Sequence, residues 1–265
     1  MNNDDWQSIC AETVHRLDRD RLMCTTLAPV EKQAPLLALL AFNMEIATIP
    51  ELVSETIVGE MRLQWWRDTI EQLYSGKRLD HPVALGLAEA IRDFDLTKSL
   101  FDDYMDGRSF DLYGQAPASL EELESYGGKT AGSLNELMGE VLLADLTKEH
   151  RATVRHAGIA WALSGLLVAA AFHSRLGRSY LPADVEKGEQ VAYVAQCAQA
   201  HIDKARKADQ VIPNALLPVM LPVTLAAHRL GRLARCHQNV GDPRLQRPAL
   251  SRLFGFYWNV LRKRY

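Results

Sequence analysis

Apolar residues recur at helical spacing along almost the whole chain and nowhere alternate with polar ones over a strand's length. From about 6 to 20 the pattern is polar, with Ile9, Val14 and Leu17 spaced for a helix. Residues 31–45 carry a dense apolar face of Leu36, Leu37, Leu39, Leu40 and Phe42, with Asn43 and Glu45 as polar insertions. Pro29 and Pro35 mark the beginning of that helix. Pro50 ends or kinks it, because proline lacks a backbone donor and restricts the residue before it. Residues 54–57 lead into an amphipathic helix over 59–75, which offers Ile57, Met61, Trp65, Ile70 and Leu73 to the core and stops at Gly76. His81-Pro82 opens a helix through Arg92, and 95–105 forms another with Leu96, Leu100, Phe101, Tyr104 and Met105 apolar.

Ser119 and Glu122 have capping-box spacing, so a helix begins there, and Gly127-Gly128 interrupts it. Further helices follow over 130–143, 150–172, 190–208, 215–233 with kinks at Pro218 and Pro222, and 248–264, while 177–182 is a non-helical connector. No Asn-Gly or Asp-Gly hairpin turn, repeat or linker occurs. The expected fold is all-α, one domain over 1–265.

Composition narrows the class. Hydrophobic residues make up 48% and charged residues 24% of the 265, and the net charge of −3 announces no nucleic-acid surface. Cys10, Cys24, Cys197 and Cys236 show no Cys-x-x-Cys spacing. Only the adjacent Cys236-His237 pair brings a histidine close, so the thiols read as buried and free in a reducing compartment. The acidic start lacks the pattern of a signal or transit peptide, which points to the cytoplasm. The most apolar run, Ala157 to Phe172, is short for a bilayer span and reads as a core helix flanked by His156 and His173.

Several motifs occur in one order. The first is Ala41-Phe42-Asn43-Met44-Glu45, followed by Arg62-Leu63-Gln64-Trp65-Trp66-Arg67. Then come Asp111-Leu112, the run Tyr126-Gly127-Gly128-Lys129-Thr130-Ala131-Gly132-Ser133, and Gly177-Arg178-Ser179-Tyr180-Leu181-Pro182. Together they resemble the squalene/phytoene synthase family. The resemblance implies a terpenoid (isoprenoid) synthase-like helical bundle with a central cavity, where two aspartate-rich helices hold Mg²⁺ against prenyl diphosphates. Both aspartate clusters are missing. Ala47, Thr48 and Glu51 stand at the first, and Ala169 and His173 at the second.

Without those carboxylates the electrostatic term that ionises a diphosphate is gone, so a non-catalytic member is expected, with no cofactor. Asp102, Asp103 and Asp106, with Asp111, are rescue candidates for a cation site, against the plainer reading of an acidic solvated face. Arg62, Arg67 and Arg178 are candidates for anion binding, or for surface ion pairs with Glu60, Asp68 or Glu71. The family resemblance places Lys129 beside the substrate and lets Tyr126 line the same cavity. Trp65 and Trp66 point to different helix faces. The ending from Phe254 to Tyr265, aromatic on one side and basic at its tip, docks on the bundle or lies on an anionic membrane.

The eroded aspartate site and the aromatic, basic ending look most like the family branch related to the mitochondrial complex I assembly factor. That resemblance implies a pseudoenzyme in respiratory complex assembly, peripheral at the inner membrane, with respiratory complex subunits or an isoprenoid or other lipid as partner. The alternative is an Mg-dependent transferase that condenses two prenyl diphosphates head to head.

Overall fold

In the computed structural model, residues 3–207, 212–246, 250–262 and 265 are described, and among them helices and short helical turns are joined by irregular connections, with no strand. Residue 208 and residues 248, 249, 263 and 264 of the expected helices lie outside that set. The helices are α1 (Asn3–Leu17), α2 (Arg19–Thr25), α3 (Val30–Ala47), α4 (Ile49–Leu52), α5 (Thr56–Tyr74), α6 (Pro82–Phe94) and α7 (Lys98–Ser109). They continue as α8 (Leu120–Gly127), α9 (Ser133–Leu142), α10 (Lys148–Arg175), α11 (Gln190–Lys207), α12 (Leu217–Met220), α13 (Pro222–Arg235) and α14 (Leu250–Arg262).

Phe42 of α3 centres the largest aromatic cluster. Its ring meets Trp66, Phe101 and Tyr104 at centroid separations of 5.1, 5.5 and 5.2 Å. Tilted and edge-on contacts of this kind each add about 0.5–1.5 kcal/mol beyond the area they bury. The Ala-Phe step of the first motif is therefore a packing element.

Two apolar stripes run along α5, and the core takes the one centred on Leu63, Trp66, Ile70 and Leu73. This corrects the expected face: Ile57, Met61 and Trp65 are 62, 67 and 45% exposed. Periodicity alone admits both stripes, and the aromatic socket made by Phe42 selects Trp66. In α1 the buried positions are Trp6, Cys10 and Val14, while Ile9 and Leu17 lie outside.

Asp95 does not start a helix but ends α6 in the left-handed region (φ 49°), which a short polar side chain tolerates better than most. The predicted break at Gly127-Gly128 is also absent. The chain passes from α8 to α9 through a π-helical turn over Gly128–Gly132, which realigns one helix onto the other. Against it lies Gly158 of α10, where a Cβ would sit 2.3 Å from the Ala131 carbonyl oxygen. Only a residue without a side chain permits that approach.

Helix α10 runs from Lys148 to Arg175, so His156 lies well inside it rather than at its end. It packs against α8, α9, α11, α13 and the π turn. Its composition and length would suit a membrane span, but 39% of its most apolar window is buried in the bundle, and much of the rest of that window faces a cleft. Apolar neighbours on many sides explain why it lacks a polar stripe. Gly177, at φ 72°, turns the chain out of α10 into the connector. At the other end, α14 docks on α13 through buried Phe256 and through Asn259, whose Nδ2 donates to Thr224 Oγ1 at 2.9 Å.

Candidate functional site

A cleft of about 520 Å³ opens between α2, α3, α10 and α13, with the ends of α7 and α8 at its floor. Leu17, Met44, Ala162, Leu166, Ala169 and Phe172 supply apolar wall. The polar floor is built on Asp111, which sits in the 3-10 turn Phe110–Leu112 that follows α7. Asp111 is 4% exposed and accepts from Arg108 Nη1 at 3.0 Å, Tyr126 Oη at 3.1 Å and Tyr180 Oη at 2.7 Å.

Arg108 extends the network. Its Nε donates to Tyr104 Oη at 3.0 Å and its Nη2 to Asn43 Oδ1 at 3.2 Å. Burial raises the pKa of the Tyr126 and Tyr180 hydroxyls, with the nearby Asp111 charge acting in the same direction, so both remain proton donors at neutral pH. The polar insertion at Asn43 thus serves the arginine. Its own Nδ2 is buried without a protein partner and lies on the cleft wall.

A second charged layer closes the opposite rim. Arg21 bonds Asp18 and Arg229 bonds Asp20 at 3.2 Å. The two guanidinium groups lie on Trp161, at 5.8 and 3.7 Å from its ring centroid. None of these five residues is signalled by sequence spacing, since Asp20 and Arg229 meet across 209 positions. His173 lines the same cleft with its Nδ1 unpaired, and burial lowers its pKa, so the ring is neutral at pH 7.

The structure gathers Ala47, Thr48, Glu51, Ala169 and His173 around this one cleft, together with Asp111, Tyr126 and Arg178. Arg178 donates to the Pro50 carbonyl at 2.6 Å. The other candidates lie elsewhere. Lys129 is exposed and packs its stem near Gly107, outside the cleft. Asp102, Asp103 and Asp106 also lie outside it, on the flank of α7. There Asp102 pairs with Lys98 and Asp106 with Arg67. Arg67 therefore bridges to α7, not to a neighbour on its own helix. Arg62 borders a different pocket, of about 470 Å³, with Trp65, Trp66, His81 and Glu45. Burial raises the Glu45 carboxyl to a pKa of about 7.

An Mg²⁺ clamp does not fit these groups. Mg²⁺ needs convergent oxygen ligands. The positions where the family resemblance expects metal ligands present a methyl group at Ala47 and Ala169, an imidazole at His173, a Thr48 hydroxyl that donates to the Met44 carbonyl at 2.8 Å, and a single carboxylate, Glu51. Asp18, Asp20 and Asp111 are each held by an arginine. Among the described residues, no three acidic, histidine or cysteine ligand atoms converge in the cleft. The arrangement provides an apolar groove with arginines at its rim.

The sequence profile described as squalene/phytoene synthase matches residues 14–253. The NADH dehydrogenase (ubiquinone) complex I assembly factor 6 of Mus musculus is 31% identical over 97% of this chain and 82% of its own length. The Homo sapiens protein of that name is 29% identical over 89% of this chain and 76% of its own. A phytoene synthase from Rhodobacter capsulatus is 24% identical over 46% of this chain and 36% of its own. In three dimensions the chain is similar to a dehydrosqualene synthase, with a TM-score of 0.82 at 14% identity, covering 98% of this chain and 96% of that one. It is also similar to squalene synthase HpnC from Alicyclobacillus acidocaldarius, with a TM-score of 0.78 at 15% identity, covering 89% of this chain and 95% of that one.

Proposed function

The chain belongs to the squalene/phytoene synthase family, and from that membership we propose that it acts by binding, as a non-catalytic factor in the assembly of respiratory complex I. The observation that carries this reading is the condition of the inherited cleft. Of Ala47, Thr48, Glu51, Ala169 and His173, which line it where the resemblance expects metal ligands, only Glu51 is acidic, and the most buried carboxylate, Asp111, is bonded by Arg108, Tyr126 and Tyr180. Near-full-length similarity to proteins named for complex I assembly supports the same direction. A catalytic clamp concentrates positive charge from metal ions where the leaving diphosphate forms, and three arginine-neutralised aspartates do not replace it.

The cleft remains wide enough for the chain of an isoprenoid or other lipid, with Arg178 and the free amide donor of Asn43 available to its polar end. Leu52, Ile57, Val58, Met61 and Trp65 form an exposed apolar face on α4 and α5, which supports a peripheral position at the inner membrane. Respiratory complex subunits are the protein partners in this reading.

Two measurements test it. Purified protein with Mg²⁺ and farnesyl or geranylgeranyl diphosphate, with and without NADPH, is expected to release no pyrophosphate. Deletion of the gene in its own organism is expected to lower NADH:ubiquinone activity together with the amount of assembled complex on native gels. Condensed product in the first assay would restore the transferase reading, and unchanged complex I in the second would remove the assembly role.

A further inference from the structure

Away from the cleft, three helices bring a second set of reactive side chains together. Cys197 and His201 lie four residues apart on α11, hence on one face, and that face meets Glu124 of α8. This corrects the sequence reading, which associated only Cys236 with a histidine; Cys197-x-x-x-His201 is a ligand-spaced pair. One ligand atom from each of Glu124, Cys197 and His201 lies within 4.8 Å of the other two. His201 Nε2 is 2.9 Å from Glu124 Oε1, and Cys197 Sγ is 3.8 Å from Glu124 Oε2. His201 Nδ1 is 3.0 Å from Nδ1 of His156 on α10.

We propose that Glu124, Cys197 and His201 form a binding site for a divalent transition metal, Zn²⁺ by ligand chemistry, with three protein ligands and a fourth position open to solvent. Thiolate, imidazole and carboxylate are the ligand types of zinc, and a set of three with an open position is the pattern of exchangeable or reactive zinc sites. Size agrees. Tetrahedral bonds of about 2.0–2.3 Å place ligand atoms roughly 3.4–3.6 Å apart. The Glu124 Oε1–His201 Nε2 pair therefore needs to open by about half an ångström, and with the three ligand atoms within 4.8 Å of one another no pair needs to close by more than roughly 1.4 Å.

Access and orientation agree as well. The Glu124 side chain is 41% exposed, giving the ion a path, while the imidazole of His201 is 2% exposed and held from behind by His156. In the metal-free protein the His201 Nε2–H donates to Glu124 and its Nδ1 accepts from His156. Binding at Nε2 requires the opposite tautomer of His201, and His156 accommodates it by moving its own proton to Nε2. The imidazoles then release no net proton, and the thiol of Cys197 gives one to solvent. His156 is a positioning residue in this arrangement. None of the four groups lines the cleft, so the site stands whether or not the proposed function holds.

The test uses the full chain, stripped with chelator and titrated with Co²⁺ alone and then Zn²⁺. One equivalent of Co²⁺ is expected to give a sulfur-to-cobalt charge-transfer band in the near ultraviolet and the visible intensity of four-coordination, both lost on adding Zn²⁺. Cys197→Ser should abolish the near-ultraviolet band, Glu124→Gln should weaken binding at least tenfold, and His156→Phe by about tenfold through loss of orientation. Cys236→Ser should leave the spectrum unchanged. Zn²⁺ at a hundredfold excess over its Kd should raise the thermal midpoint by roughly 5 °C. Absence of the thiolate band at stoichiometric Co²⁺, or its persistence in folded Cys197→Ser, overturns the proposal. Glu124 is exposed enough that its variant remains a test even if a histidine variant fails to fold.

Discussion

Replacing Asp111 by Ala would leave Arg108 charged in a site where its side chain is only 15% exposed, and would strand the hydroxyls of Tyr126 and Tyr180. Removing one partner of a buried ion pair costs about 3–5 kcal/mol, because the remaining charge keeps its desolvation penalty without its counter-charge. A chain of this length has an unfolding entropy of roughly 0.56 kcal/mol per kelvin, so the midpoint should fall by about 5–9 °C. The Arg108→Met/Asp111→Ala double variant removes both charges and should be no less stable than Asp111→Ala alone. Calorimetry and urea unfolding of the wild type, both single variants and the double variant complete the cycle. A stability of Asp111→Ala within 1 kcal/mol of the wild type, or a double variant clearly worse than it, would refute the description of Asp111 as the counter-ion that Arg108 requires.

Three further outcomes follow from local geometry. Gly158→Ala forces a Cβ onto the backbone of Ala131 and should cost about 1–3 kcal/mol in urea unfolding, whereas Gly165→Ala on the same helix meets only the end of Arg229 at 3.5 Å and should be neutral or slightly stabilising; equal losses would contradict the close approach of α10 to the π turn. Glu45 is raised by burial from 4.5 to about 7, so the folded state holds its proton more tightly, and the stability this gives below pH 4.5 is lost as pH rises through 7. With a side chain 34% exposed, the effect discounts to about 1–2 kcal/mol, and Glu45→Gln should raise the thermal midpoint at pH 8 but not at pH 4.5; the same gain at both would show that burial does not act through the charge. Asp102→Ala/Asp106→Ala removes partly exposed ion pairs to Lys98 and Arg67 and should lower stability by under about 1 kcal/mol, without changing any ligand binding in the cleft, which fluorescence titration with a prenyl diphosphate would check.

The all-α class was legible because apolar positions at three- and four-residue spacing dominate the chain. The cleft was legible in part, because the motif residues keep their order and Ala47, Thr48, Glu51, Ala169 and His173, of which only Glu51 is acidic, all line it. Side-chain chemistry at a position is a property of the sequence itself, so the scarcity of carboxylates at those five positions needed no coordinates to be seen. Which carboxylates face the cleft, and what neutralises them, is a different kind of fact. Asp102 and Asp106 look like ligands in the string and lie on an outer flank, while Asp18 and Asp20 look incidental and close the rim.

The same division holds for α5 and α11. Helical periodicity defines stripes on α5, but the choice between the Trp65 and Trp66 stripes rests on the Phe42 cluster that one of them meets. The four-residue spacing of Cys197 and His201 is present in the chain, but Glu124 joins them from 73 and 77 positions away. Local spacing follows from covalent geometry and is written along the sequence. Ion pairing and ligand convergence depend on distances of a few ångströms between distant segments, and only the packed bundle sets those.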